Sequence, residues 1–393
     1  MPEETIERGQ IATVSSKPPV AIIDPQAPSS PEVRMLLNDV ADKLKLSFAM
    51  AVMGRTGDGG DNIDRLFDAL VASRSAVQQD KARLRAQSML SAPAATRKLF
   101  FGRYGAIEPA QYAGADRAQA GLQRIVVDEL EVRQAMQAFG ENEAIRNEVS
   151  PHFFRVGSRK LNVDLGHRGT VAMNPDLVEG AKLKKLGLFI NAVQCLEETN
   201  EVGADEILMG GTVTDPHGVT QKVDQFMVHD DFDEGEIKRY GGRGRLFHEW
   251  QVVRTSDWPH TYAAILAMAE EDGGGFADFL TDLWRQVDDE VKKAVAGAVG
   301  GAVGAALGSF FGPLGTAVGA AVGWLLGVLV DWILGFFEDD LVATRTLLVV
   351  LGAGTKSYYD WAGLTADPPN QFAMNFNGDG GRYRVWCSLS VYP

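Results

Sequence analysis

The sequence predicts an α+β protein with a helical N-terminal domain, an antiparallel β-sandwich and a glycine-rich helical hairpin inserted into that sandwich. Apolar residues recur at helical spacing in roughly the first 150 residues and alternate with period two after that. A stretch of 37 residues, Ala294 to Val330, contains no charged residue and no histidine. We therefore divide the 393 residues into a disordered leader at 1–30, a helical domain at 31–150, a first sandwich part at 151–275, a helical insertion at 276–337 and a sandwich completion at 338–393.

The leader is polar and rich in proline, a composition that predicts an extended or disordered segment. It lacks the basic start and apolar core of a secretory signal, so we expect a cytoplasmic protein or one exported by a signal-peptide-independent route. Ser30, Pro31 and Glu32 then form a helix-start pattern ahead of apolar residues at helical spacing. Further runs of this spacing, interrupted by a glycine-rich break and by Pro93, predict a small helical domain.

Short segments rich in β-branched and aromatic residues predict seven strands in the second half of the chain. The last segment is the clearest, because apolar and mixed residues alternate strictly along it. Seven short strands separated by turns are typical of an antiparallel sandwich. Cys195 and Cys387, the two cysteines, are most simply buried strand residues. The predicted strands are Leu186–Leu196, Asp205–Val213, Gln221–His229, Arg245–Arg254, Tyr262–Ala269, Arg345–Leu351 and Arg382–Tyr392.

Acidic residues are concentrated in four segments that account for the whole net charge. The chain has 38 Lys and Arg residues against 52 Asp and Glu residues, a formal charge of -14. The segments 197–206, 230–236, 270–272 and 338–340 hold 16 acidic residues and no basic residue. A strongly acidic chain of this kind argues against nucleic acid as an unaided partner.

We expect the four acidic segments to meet at one end of the sandwich, because alternate connections of an up-and-down antiparallel order fall at the same end. Converging carboxylates favour a cation, and calcium, which takes six to eight oxygen ligands, suits them better than zinc. The alternative is a solvated acidic rim without an ion. The candidate calcium ligands are Glu198, Glu201, Asp205, Asp230, Asp231, Asp233, Asp272, Asp339 and Asp340.

Acidic loops gathered at one end of a sandwich resemble those of calcium-binding C2 domains, over roughly residues 183–275 and 338–393. The resemblance is one of architecture, and no sequence signature transfers residue by residue. It implies a calcium site at the acidic end.

The uncharged stretch carries glycine at every fourth residue in two series, separated by a Gly-Pro-Leu-Gly turn at 312–315. Glycines at this spacing share one helical face and let another helix approach closely, as in membrane helix pairs. An arm of 18 residues nearly spans a hydrocarbon core of about 30 Å. The second arm is the more apolar, although Asp331 interrupts it. The residues predicted for membrane contact or helix packing are Gly300, Gly304, Gly308, Gly312, Gly315, Gly319, Gly323, Gly327, Trp324 and Trp332.

This hairpin is similar to the hydrophobic hairpins of pore-forming toxins and of glycine-zipper membrane proteins. The resemblance implies a protein that stays folded in water and enters a lipid membrane when triggered, with the hairpin as a contact in a homo-oligomer. An amphipathic helix starting at Phe276 leads into the first arm. The alternative is a non-enzymatic structural, adhesion or lectin-like protein whose hairpin stays buried in its core.

Enzyme motifs are missing from the sequence: it has no nucleophile elbow, phosphate-binding loop, dinucleotide fingerprint or zinc-protease helix. His248 and Glu249 are a weak acid-base candidate and are better explained as a surface pair. Tyr358, Tyr359 and Trp361 can stack on a sugar, which is the basis of the lectin-like alternative. The sequence therefore predicts a calcium-dependent membrane-binding or pore-forming protein, such as a toxin or an exported effector, and not an enzyme.

Overall fold

The structure is a computed structural model, and it describes residues 20–23, 28, 30–56, 62–120, 122, 127–128, 130–136, 185–199, 205–252, 260–270, 276–299, 312–337, 341–351, 371–378 and 380–392. Within these ranges the chain forms helices and two antiparallel sheets, so the predicted α+β class is confirmed.

The helices lie in the N-terminal third and in the insertion between two strands. Ser30 begins the first helix as predicted, because its hydroxyl accepts the N–H of Val33 at 3.3 Å and Pro31 occupies the first turn. Two short 3₁₀ turns follow the fourth helix, at Gly102–Ala106 and Pro109–Gln111. The helices are α1 Pro31–Val52, α2 Asn62–Ala72, α3 Ala76–Leu90, α4 Ala94–Phe101, α5 Ala115–Ala120, α6 at 130–136, α7 Phe276–Val299 and α8 Gly312–Phe337.

The strands form two sheets of five. Sheet A has the order β1-β8-β7-β3-β4, and sheet B has the order β5-β2-β10-β9 with β6 also paired to β2. All seven predicted strands are present, with bounds that shift by up to four residues, whereas β1, β5 and β9 were not predicted. The strands are β1 Val20–Ile23, β2 Lys185–Glu197, β3 Asp205–Thr214, β4 Thr220–Phe232, β5 Ile237–Arg239, β6 Arg245–Gln251, β7 His260–Glu270, β8 Leu341–Leu351, β9 Gln371–Gly378 and β10 Gly381–Tyr392.

The predicted up-and-down strand order is wrong. β2 pairs with β10, β6 and β5, and β3 pairs with β4 and β7, so the connection from β2 to β3 passes from one sheet to the other. The alternation of apolar residues tells which side chains face inward, but it does not tell which strand is the neighbour. Strand β3 does pair with β4, the next strand along the chain, as the short turn between them favours.

Strand β7 belongs to two hydrophobic cores at once, since every one of its residues is buried. A strand buried on both faces reads as a near-continuous apolar run, as β7 does. One core is formed by side chains from both sheets, and the other by side chains from sheet A and the helices. β7 contributes Tyr262, Ala264, Leu266 and Met268 to the first core and Ala263, Ile265, Ala267 and Ala269 to the second.

The N-terminal helices and the helical insertion share the second core. Apolar residues of α1 and α2 pack there with residues of α7 and α8 and with the outer face of sheet A. The predicted boundaries at 31–150 and 276–337 therefore separate residues that pack together.

Cys195 and Cys387 are free, fully buried strand residues, which confirms the prediction for them. Burial raises the pKa of both thiols, that of Cys195 to about 11.

Candidate functional site

The strand ends that carry the acidic residues lie at the same end of sheet A. Asp205 pairs with Phe232, and Ala269, next to Glu270, pairs with Leu341. In sheet B, Glu197 is opposite Arg382, and the two side chains form an ion pair. We call this region the acidic end. The strand order differs from the predicted one. The acidic strand ends still lie together, because antiparallel strands alternate between two ends in either order.

Asp205 is the centre of a buried hydrogen-bond network that joins the two sheets. Its carboxylate, in a residue only 2% exposed, accepts the backbone N–H of Thr199 at 2.9 Å and the hydroxyl of Thr199 at 2.8 Å. It also accepts the hydroxyl of Tyr383, and Thr199 contacts the carboxylate of Glu270, which is 6% exposed. Burial, followed by the contact with Asp205, raises the pKa of Tyr383 well above its ordinary value. The oxygens of Asp205 are therefore occupied by donors from the protein.

The other candidate ligands in the described ranges are more open. A carboxylate oxygen of Glu198 accepts the backbone N–H of Glu234 at 2.6 Å, while Asp230, Asp231 and Asp233 are exposed. In the part of the chain that the structure describes, no group of three or more His, Cys, Asp or Glu residues is placed to hold a metal ion. The candidates outside the described residues are Glu201, Asp272, Asp339 and Asp340.

The second candidate site is helix α8. Its segment Gly315–Phe337 has 23 residues with a mean hydropathy of 2.0, and among the described helices it alone is long and apolar enough to cross a membrane. In the fold, 67% of this segment is buried. The same length and composition occur in core helices of soluble proteins.

The predicted glycine and tryptophan residues lie in different surroundings along α8. Gly315, Gly319 and Gly323 are buried, and the carbonyl of Gly323 accepts the hydroxyl of Thr346 on β8 at 3.4 Å. Gly327 is half-buried, and a Cβ atom added to it would meet no atom within 4 Å. Trp324 and Trp332 are half-buried and Gly312 begins the helix, whereas Gly300, Gly304 and Gly308 lie outside the described residues.

Phe48 on α1 holds the C-terminal part of α8 in an aromatic cluster. Its ring is fully buried and makes edge-to-face contacts, with centroid distances between 5.2 and 5.8 Å, that aromatic pairs prefer. The four partners are Phe67 on α2 and Trp332, Phe336 and Phe337 on α8.

Helix α3 and the short segment before it cover the same end of α8 with arginine side chains. The guanidinium of Arg85 donates to the backbone carbonyl of Gly335 and lies 5.4 Å from the ring centre of Phe336. Arg74 lies 5.3 Å from the ring centre of Phe337. Cations over aromatic faces and near helix C-termini are both favourable placements.

Two buried polar groups in the helical core were missed from the sequence. Lys43 is 3% exposed and forms ion pairs with Glu290 and, at 3.2 Å, with Asp116. Asp64, fully buried, accepts the hydroxyl of Ser47 and, at 2.8 Å, that of Tyr112. The sequence did contain a signal for these buried polar groups. Lys43 and Ser47 lie on the apolar stripe of α1, seven and eleven residues after Leu36.

No family model matches this chain, and no curated protein matches it.

Proposed function

We propose that this chain is a membrane-interacting, pore-forming protein that keeps its most apolar helix, α8, inside a water-soluble fold and inserts it into a lipid bilayer when triggered. The observation that carries the proposal is the segment Gly315–Phe337, with its length of 23 residues and mean hydropathy of 2.0. At about 1.5 Å per residue this helix exceeds a hydrocarbon core of about 30 Å. In this proposal the two sheets form a β-sandwich, and α7 and α8 belong to one helical hairpin.

Release of α8 breaks its contacts with the helices and with sheet A, while the strand pairing within the sheets can remain. Its helical backbone hydrogen bonds lie within the segment and can be carried into lipid, whereas those that Arg85 and Thr346 donate to the carbonyls of Gly335 and Gly323 must break. Its contacts with α1 and α3 are made by side chains, above all those of Phe48 and Arg85. The pairing of β7 with β8, between which the insertion starts and ends, is made by the strands themselves. α8 also packs on the outer face of sheet A, and the hydroxyls of Thr316 on α8 and Thr261 on β7 share a hydrogen bond, so its release uncovers that face.

Insertion is expected to be conditional. Asp331 is exposed on α8, and a carboxylate is costly inside a bilayer unless it is neutralised. The acidic end also repels anionic headgroups. Calcium that bridges the acidic end to lipid, or protons that neutralise it, reduces this repulsion. Calcium thus enters the proposal as a counter-ion of the acidic end.

Gly327 offers a direct test, because its open surroundings accept a side chain and it lies next to the centre of the apolar segment. We expect Gly327→Lys and Gly327→Leu to fold equally well. A lysine at the centre of a spanning helix costs about 2.5–3.5 kcal/mol in a bilayer, whereas leucine is favourable there. Dye release from anionic vesicles at mildly acidic pH should therefore fall at least tenfold in Gly327→Lys and persist in Gly327→Leu. Equal release by both variants would show that α8 does not enter the bilayer.

The 67% burial of the apolar segment favours a second candidate, a non-enzymatic structural or adhesion protein in which α8 never leaves the core. Phe48→Ala distinguishes the two functions, because it loosens the helical cover of α8. A stored helix should then be released more readily, so vesicle leakage should become faster. A permanently buried helix should give only a lower melting temperature.

Phe376→Ala is the matched control for this test. Phe376 is fully buried in the core between the two sheets and does not belong to the core around α8. Loss of a buried phenylalanine costs about 3–5 kcal/mol in either core. Faster leakage from both variants would reflect general unfolding and would not support a stored helix.

A further inference from the structure

Large apolar side chains are exposed on α3 and on α4, two consecutive helices. Leu99, Leu84 and Val77 are 82%, 69% and 66% exposed, the three highest values among the exposed large apolar residues of the described ranges. Single exposed apolar residues are ordinary, but several on one surface mark an interaction site.

The exposed residues of α3 follow helical spacing. Val77, Lys81 and Leu84 lie at positions i, i+4 and i+7, and so on the same face of the helix. The opposite face is used for packing, since Ala82, Ala86 and Leu90 are buried. α3 therefore carries apolar side chains on two faces, and packing in the fold explains only the inner one.

The charge of this surface is opposite to that of the chain. The segment Ala76–Phe101 holds five basic residues and one acidic residue, whereas the whole chain carries -14. Of the five, Arg97 is buried and paired with Glu108. The exposed basic residues are Lys81, which also interacts within the fold, Arg83, which is paired with Asp80 at 2.8 Å, Arg85 and Lys98. Basic side chains interspersed with leucine and valine are typical of helices that lie at the surface of an anionic membrane.

The position of this surface relates it to α8. Arg85, on its edge, donates to the carbonyl of Gly335 and lies over Phe336. A bilayer that contacts α3 is consequently next to the C-terminal end of the helix proposed to insert.

We propose that the outer surface of α3 and α4 docks onto anionic lipid headgroups before α8 is released. The basic side chains contact the headgroup phosphates and carboxylates, and the apolar side chains enter the boundary between headgroups and acyl chains. The inference deepens the proposed membrane function and rests on it. The docking surface consists of Val77, Lys81, Leu84, Arg85, Lys98 and Leu99.

Vesicle cosedimentation at neutral pH with a chelator tests docking apart from insertion and from calcium. We expect the wild type to bind phosphatidylcholine vesicles that contain phosphatidylserine and not vesicles of phosphatidylcholine alone. The variant Lys81→Gln with Lys98→Gln should bind about tenfold more weakly or worse, since each basic residue near an anionic surface contributes severalfold. Leu84→Ser with Leu99→Ser should also weaken binding, without a change in charge.

The control is Lys238→Gln with Arg239→Gln, on the exposed strand β5, which makes the same change in net charge at another place. This control should bind like the wild type, and all variants should keep the wild-type melting temperature. Equal weakening by the control would overturn the docking surface in favour of a general charge effect. Wild-type binding by the serine variant, with competition by single-stranded DNA, would overturn it in favour of a polyanion site.

Failure of docking and failure of insertion give different results. Leakage by the Lys81→Gln and Lys98→Gln variant at the wild-type rate would reject the docking surface and leave the membrane function in place. Binding of the wild type without leakage under any condition would reject insertion and leave docking in place. Gly327→Lys that binds normally but does not leak would support both.

Discussion

The side-chain ammonium of Lys43 on α1 donates to a carboxylate oxygen of Glu290 on α7, a residue 247 positions further along the chain. The ammonium is 3% exposed and the Glu290 side chain 11% exposed. Because a buried charge requires a partner, this pair determines how the N-terminal helices lie on the helical insertion.

Glu290→Gln should lower the free energy of unfolding by about 3 kcal/mol, because it leaves the Lys43 ammonium buried with weaker compensation. Urea unfolding measures the loss. Lys293, which also pairs with Glu290, is 64% exposed and should matter little. The double variant Lys43→Met with Glu290→Leu removes both charges and should be nearly as stable as the wild type. A single variant of wild-type stability would show that the pair does not hold the helices.

Asp205→Asn should lower the free energy of unfolding by about 2 kcal/mol, since the amide places a donor among the donors from Thr199 and Tyr383. Tyr383→Phe removes one donor and should cost about 1 kcal/mol. Thermal unfolding with calcium and with chelator measures both. We expect an equal loss in the two conditions, because the Asp205 oxygens already accept hydrogen bonds from the protein. A loss seen with calcium alone would make Asp205 a metal ligand.

Asp42 should make the stability fall as the pH rises. Burial raises its pKa from 3.8 to about 6, with Lys45 acting in the opposite direction and Asp39 adding to the rise. The folded state thus prefers protonated Asp42, and the stability this provides is complete below pH 3.8 and is lost as the pH rises to about 6.

Asp42→Asn removes this dependence. With a side chain 26% exposed, solvent reduces the effect, so the variant should exceed the wild type by on the order of 1 kcal/mol at neutral pH. The two proteins should be equally stable in acid below the ordinary aspartate pKa. Urea unfolding across this pH range measures the difference, and an identical pH profile for the two would contradict the burial of this carboxyl.

Calcium should raise the melting temperature if it binds the acidic end in the folded state, because a ligand of the native state alone stabilises it. Asp231→Asn with Asp233→Asn should remove most of that gain. Asp278→Asn with Asp282→Asn on α7, two exposed acids away from the acidic end, is the charge-matched control and should keep it. If the wild type has the same melting temperature with calcium and with chelator, the acidic end is a solvated rim without a bound ion.

The strands were largely predictable because their own side chains carry the signal. In Arg382–Tyr392 the apolar residues alternate, and Tyr383, Val385 and Leu389 are indeed fully buried. The short strand β5 has three exposed residues and no such signal. β1 was missed because its four residues lie in a polar leader and become a strand only through pairing with β8.

The features of the candidate site that follow from local composition were predictable from the sequence. The contacts between residues far apart in the sequence were not. The apolarity of α8 is a property of its own sequence, but its cover depends on partners such as Phe48, which contacts Phe336 of α8 from a position roughly three quarters of the chain away. Lys43 and Glu290 illustrate the same limit, since each looks like a solvated charge until the other is placed beside it.

The pairing of β1 with β8 has a consequence for the order of events during synthesis. Val20 lies opposite Leu351, so the first strand leaves the ribosome roughly 300 residues before its partner exists. At about 5–20 residues per second that interval lasts many seconds, during which β7 and α8 also emerge with their apolar faces uncovered. Sheet A therefore closes only after β8 has been synthesised, and until then these apolar faces depend on other cover.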